Sequence, residues 1–193
     1  MTRQKAPIAK LHENVDRIIN SIAYVIKFAN SRDIEPTQYD IVKTLFLADR
    51  AHLNKWGRPI TYDNYCAMKH GPVPSVSYNI LKDDQHTIRK FNIQEIPWKM
   101  RRDQKVNRYF CPNELEFEDV LSPSDMRALE NAFSIVSSLG FSQIRKLTHE
   151  DVAYVDAWED ESNRQSFDMS LALLFDTANY DEAERIAEQS EYV

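Results

Sequence analysis

Cysteine is nearly absent from this 193-residue chain: Cys66 and Cys111 stand far apart and outside any C-x-x-C spacing, so neither a disulfide framework nor a zinc ribbon is expected. No H-E-x-x-H run is spelled, and five scattered histidines offer no ligand spacing, so no metal and no cofactor are expected. Clustered positive charge is also lacking. The formal net charge is −6, and the basic stretches are Arg3, Lys5, Lys10 and the run Lys99, Arg101, Arg102, Lys105, which read as solvated surface. Broad contact with a phosphate backbone needs concentrated Lys and Arg, so nucleic acid is not the expected partner. No apolar run approaches the length of a bilayer crossing, and no apolar signal core follows the N-terminal charges, which leads to the expectation of a soluble, cytoplasmic protein.

What remains is an ordinary globular composition, 42% hydrophobic and 28% charged, long enough for one domain with a terminal extension. From Leu11 to Ser31 the apolar residues Val15, Ile18, Ile19, Ile22, Val25 and Ile26 recur at helical steps. Thr37 is a candidate N-cap for a second helix carrying Ile41, Val42, Leu45, Phe46, Ala48 and Leu53 to a stop at Gly57. Ile60 to Lys69 reads as extended. Gly71 to Ser75, with Pro72 and Pro74, reads as a stiff connector, with Ser75 capping the helix that follows. Phe91 to Met100 and Lys105 to Pro112 predict a β-hairpin. Ser122 to Asp125 opens a helix that stops at Gly140, and shorter helices are expected over Ser142 to Leu147, Val152 to Asp160 and Ser170 to Thr177. The expected fold class is mainly α with a small β component (α+β), a domain over residues 11–160 and an acidic helical extension over 161–193. The last stretch, Tyr180 to Tyr192, is weakly amphipathic through Ala183, Ile186 and Ala187.

Asp49 shares a helical face with Val42, Leu45, Phe46 and Leu53, so its carboxylate falls on or beside the buried stripe and must find donors. His52 is one turn on, and Tyr62, Tyr65, Lys69 and His70 arrive on the extended segment. Asp49 and His52 are therefore read as a structural polar network. The competing reading is a hydrolase built on Asp49, His52, His70 and His149, which would require those side chains to converge in an open cleft. A DNA-binding autorepressor would need a basic recognition helix, and none is apparent.

The same region carries a resemblance. Asp49, Arg50, His52 and Leu53, then Gly57, Arg58, Pro59, Ile60 and Thr61, then Tyr65, Ala67 to Lys69, His70, Gly71, Pro72, Val73, Pro74 and Ser75 resemble the signature of the Panacea domain. That family is also called the SocA-like antitoxin domain and is often phage-associated. Leu147 to Asp151 with Trp158 resembles its C-terminal box, whereas Tyr62 stands where family members often carry a small residue, and nothing beyond Phe167 is matched. The resemblance implies an antitoxin of a toxin–antitoxin system that neutralises a protein toxin by direct binding, without catalytic residues. Tyr62, Tyr65, His70 and Tyr78 are the candidate partner-binding residues, because aromatic side chains beside a proline-stiffened segment give contact area at low entropy cost. Some of them must instead be core, Tyr65 and Tyr78 first, because the extended segment and its following helix need apolar mass against the second helix. Homo-oligomerisation is left open.

Overall fold

The computed structural model describes residues 5–104, 106–112, 114–159 and 163–193; Arg3, Lys105 and Asp160, named above, lie outside them. Helix α1, Val15–Asn30, buries Ile18, Ile22, Val25 and Ile26 and starts after Asn14, whose side chain accepts the Arg17 N–H. The helix does not extend back to Leu11, because the Leu11 main chain is claimed by the Asn64 amide in both directions. Helix α2, Gln38–Trp56, has a reciprocal capping box from Thr37 and Asp40, and Gly57 ends it in the left-handed region at φ 72°.

Strands β1, Tyr65–Met68, and β2, Gly71–Pro74, form an antiparallel hairpin. The expected proline connector is thus a strand, and Pro72 and Pro74 are tolerated there because β2 is the sheet edge. The residues before it, 60–64, are irregular, with Tyr62 at φ 53°. Helix α3, Ser75–Leu81, begins after Pro74 with no side-chain cap of its own, so Ser75 is not the cap that the sequence led us to expect. A remote residue, Asp63, takes that role.

A short helix α4, Gln85–Lys90, capped by Asp84, precedes the hairpin of β3, Lys99–Asp103, and β4, Val106–Phe110. The first hairpin arm therefore starts at Lys99 and not at Phe91, which closes α4. Helix α5, Pro123–His149, is opened by a Ser122–Asp125 capping box and broken at Gly140 (φ 70°, ψ 176°), as the glycine stop leads one to expect. Helix α6, Val152–Ala157, follows, then β5, Ser166–Asp168, which pairs with the free side of β1. Three residues are too few for an alternation signal, and this strand was not foreseen. A 3₁₀ turn, Leu171–Leu174, replaces the helix expected over Ser170 to Thr177, and helix α7, Tyr180–Gln189, closes the chain with Ala183 and Ile186 buried.

The fold is mainly helical, with two small antiparallel sheets among the described residues. Helix α2 sits between two apolar clusters: Ile41, Val42, Leu45 and Ala48 join α1, α3 and α5, whereas Phe46 and Leu53 join the side of Tyr62, Tyr65, Phe167 and the C-terminal elements. A helix buried on both sides carries its polar residues inside. No helix among the described residues is long and apolar enough to cross a membrane.

Candidate functional site

Three carboxylates behind the signature are closed off from solvent and saturated with donors. Asp49 is 1% exposed and accepts the Ile60 N–H at 2.7 Å, the Thr61 N–H at 3.0 Å, the Tyr65 hydroxyl at 2.9 Å and the Thr61 hydroxyl. Burial pushes its pKa up, against the pull of those donors. Asp63 accepts the Val76 N–H at 3.0 Å and both the N–H and hydroxyl of Ser77 at 2.7 Å, so it caps α3 from a distant loop. Burial raises its pKa to about 6.

Asp125 is the third carboxylate and the most heavily bridged. Its side chain is fully buried and meets Arg17 at 2.8 Å, Arg58 at 2.9 Å, His52 Nε2 at 3.1 Å and the Ser122 N–H at 2.9 Å. Burial works to raise its pKa, but Arg58, the Ser122 amide and Arg17 outweigh that and hold it below the usual carboxylate range. His52 also donates from Nδ1 to the Arg58 carbonyl at 2.8 Å. Burial lowers the imidazole pKa while that carbonyl and Asp125 oppose it. Helix α2, the signature loop, α1 and α5 are tied together here. The three carboxylates themselves are shut off from solvent.

The other polar region is open. A cleft of about 1120 Å³ runs between the first half of α2, the β1–β2 turn, Tyr78 of α3, the end of α5, and the segment around α6. Lys43 forms part of its lining yet is only 1% exposed; its Nζ donates to the Pro72 carbonyl at 2.8 Å and lies 5.4 Å from the Tyr39 ring centroid. Burial pushes its pKa down to about 7. The two parts of the signature meet on this lining. Gly71 has φ 102°, and a Cβ there would stand 2.7 Å from Lys43 Nζ and 2.8 Å from Thr148 Oγ1, so the β-turn and the C-terminal box close on a residue without a side chain. His149 packs on Tyr154 at 4.4 Å between ring centroids, Tyr154 stacks on Trp158 at 6.0 Å, and the Tyr154 hydroxyl donates to the Met68 carbonyl at 3.0 Å. Phe141, 53% exposed, packs against Tyr39 and faces the His70 ring, and Val155 is 48% exposed.

The residues singled out from the sequence are thus divided. Asp49 and His52 belong to adjoining closed networks, held by different partners. Tyr62 and Tyr65 are buried, Tyr62 against the cluster of Phe46 and Leu53 and Tyr65 on Asp49, so neither is available as exposed contact surface. His70 is exposed and Tyr78 half-buried, and both line the cleft with His149. The four residues of the hydrolase reading do not converge: His70 and His149 face the cleft, whereas Asp49 and His52 are sealed elsewhere. Among the described residues no group of three or more His, Cys, Asp or Glu is placed to hold a metal ion.

Sequence reasoning missed Asp125, Asp63 and Lys43. The capping pattern from Ser122 to Asp125 marked a helix start, and the same carboxylate also serves three basic partners. Lys43 between Val42 and Thr44, in a helix flanked by apolar clusters, is a lysine that a two-sided helix is bound to bury.

The sequence model of one protein family, described as "Antitoxin SocA-like, Panacea domain", matches residues 41–153, more than half of the chain and the span from α2 into α6. No curated protein and no solved structure matches.

Proposed function

The chain belongs to the SocA-like antitoxin family with the Panacea domain, and from that premise we propose that it is the antitoxin of a toxin–antitoxin pair, acting in the cytoplasm by stable contact with a co-encoded protein toxin. The contact face in this reading is the cleft and its rim, with His70 and Tyr78 as contact residues and Phe141 and Val155 beside them. Tyr62 and Tyr65, part of the sequence-derived set, act indirectly by holding the signature loop.

The observation that carries this reading is the division of the family signature. Its first part, with Asp49, His52 and Arg58, is consumed in closed networks, and its later part, His70 and the box containing His149, faces an open cleft with exposed aromatic and aliphatic neighbours. Large side chains around a depression, set on rigid elements, are the features of a protein-binding hot spot. A catalytic reading has no converged nucleophile, base and orienting group to rest on.

Co-expression with the co-encoded toxin tests the proposal. The wild-type chain should restore growth and co-purify with the toxin, and His70→Ala combined with Tyr78→Ala and Phe141→Ala should lose both while keeping the wild-type melting temperature. Full rescue by that triple variant would put the binding face elsewhere.

A further inference from the structure

The charge of the cleft runs against the charge of the chain. The protein carries a net −6, yet the cleft is lined by Lys43, Lys69, Arg145 and Arg164 together with His70 and His149. Glu159 is the acidic residue in that lining among the described residues, and it is already paired with Lys5 at 2.7 Å. Lys43, Lys69 and Arg145 have no carboxylate partner among the described residues. The field of these cations is felt inside the site: after burial itself, Arg145, Lys69 and Lys43 are what hold the His70 pKa down.

Lys43 is the most informative of them. An ammonium has three donors, and here one acceptor, the Pro72 carbonyl, is supplied at a position 1% exposed. A buried charge is costly unless paired, so proteins that bury a lysine normally place a carboxylate beside it. Asp125 is bridged by two arginines, while Lys43 is left with a carbonyl and a ring face.

We infer that the cleft is a receptor for an acidic segment of a protein partner, with acidic side chains meeting the exposed Lys69 and Arg145 along the walls and the buried Lys43 ammonium drawing them in by its charge from beneath the floor. This deepens the antitoxin reading above and rests on it. A phosphate-bearing ligand has the same sign of charge but needs a different cradle, backbone N–H groups at a free helix N-terminus or a glycine-rich loop. The helix start that reaches this cleft, at Gln38 of α2, already carries the Asp40 carboxylate on the Thr37 amide, a negative charge that opposes a phosphate there. The cations come from α2, the β1–β2 turn, the end of α5 and the segment after α6, so they are distributed along the cleft. Phe141 and Val155 offer apolar surface beside them. Spaced cations with apolar flanks suit a chain of alternating acidic and apolar residues.

The test uses the full chain and a fluorescein-labelled peptide of alternating Glu and Leu, followed by fluorescence anisotropy at low salt. The wild type should bind it saturably and ignore the same peptide with Lys for Glu. Lys43→Met and Arg145→Gln should each weaken binding by about tenfold or more, with melting temperatures no lower than wild type. No binding by the wild type, or equal binding by both variants, overturns the inference. So does displacement of the peptide by inorganic phosphate where chloride of equal ionic strength has no effect, since the site then belongs to a phosphate. The growth-rescue assay separates the two levels of argument. If the Lys43 and Arg145 variants rescue as well as wild type while the His70, Tyr78 and Phe141 triple variant fails, the acidic-segment inference falls and the antitoxin reading stands. If the wild type itself neither rescues nor co-purifies, the antitoxin reading fails whatever the peptide does.

Discussion

The carboxylates behind the signature and the Lys43 ammonium under the cleft are both polar groups held away from water, Lys43 and Asp49 on the same helix, and they are treated in opposite ways. Asp49, Asp63 and Asp125 receive main-chain amides, hydroxyls or guanidinium groups at nearly every acceptor position. Lys43 receives one carbonyl. A saturated group fixes elements against one another and has nothing left to offer a partner, whereas an unsaturated one is a standing demand for an acceptor. In the function proposed above, saturation is what separates scaffold from recognition.

The strongest way to break that distinction is at Asp125. Replacing it with Ala leaves Arg17, Arg58 and His52 facing one another, and should cost about 3 kcal/mol of unfolding free energy, read by urea denaturation. Its pH signature follows from the depressed pKa. A carboxylate whose folded pKa lies below its unfolded value contributes fully above the unfolded pKa, about 3.9, and loses that contribution as pH falls through the folded pKa. The stability gap between wild type and Asp125→Asn should thus be complete at neutral pH and narrow below about pH 4. A gap that is constant with pH would mean that the charge plays no part.

Asp49→Ala should cost about 1 to 3 kcal/mol, because the Ile60 and Thr61 amides and the Tyr65 hydroxyl lose their acceptor inside the core. Gly71→Ala should cost about 1 to 3 kcal/mol, from its positive φ and from the clash with Lys43 Nζ and Thr148 Oγ1. It should also weaken partner binding, since the clash lies under the cleft. A Gly71→Ala protein as stable as wild type would show that the turn has room to shift.

Lys43→Met sharpens the comparison from the other side. Loss of a buried, poorly paired charge should leave stability unchanged or raise it, while partner binding weakens. Because the folded Lys43 pKa, about 7, is below its unfolded value, the unfolded chain binds the extra proton between those two values and wild-type stability should rise with pH across that window. The rise attributable to Lys43 should vanish in the Met variant. A drop in melting temperature like that of Asp49→Ala would instead make Lys43 part of the scaffold. The smallest effect is expected on the acidic outer face of α7 and the 3₁₀ turn Ser190–Tyr192 that follows it, where Asp181→Lys with Glu191→Lys should leave both stability and partner binding nearly unchanged, as the cleft lies elsewhere.

Much of the helical frame was legible in the sequence because its signals are local. Thr37, Gly57, Ser122 and Gly140 mark helix ends through backbone chemistry within a few residues, and the apolar period of α1 and α2 needs no partner to be read. The missed elements depend on distance. β5 exists because β1 has a free side, Pro72 and Pro74 stand in a strand because β2 is an edge, and α3 is capped by a residue twelve or more positions upstream. The site divides along the same line. That Asp49 lies on a buried face followed from spacing, but which histidine it stands beside did not, since His52 turns to Asp125 of α5. Two tyrosines that looked like contact residues are buried because the signature loop folds inward at Tyr62, in the left-handed region at φ 53°.

The central claim, that the partner sits in the cleft and not on the saturated side of the signature, is tested most directly by hydrogen–deuterium exchange of the chain alone and bound to its co-encoded toxin. The account predicts added protection over the β1–β2 turn at Lys69 and His70, around Tyr78, and from Phe141 through Val155. Protection confined to α7 or to the β3–β4 hairpin, with exchange at those three places unchanged, would contradict it.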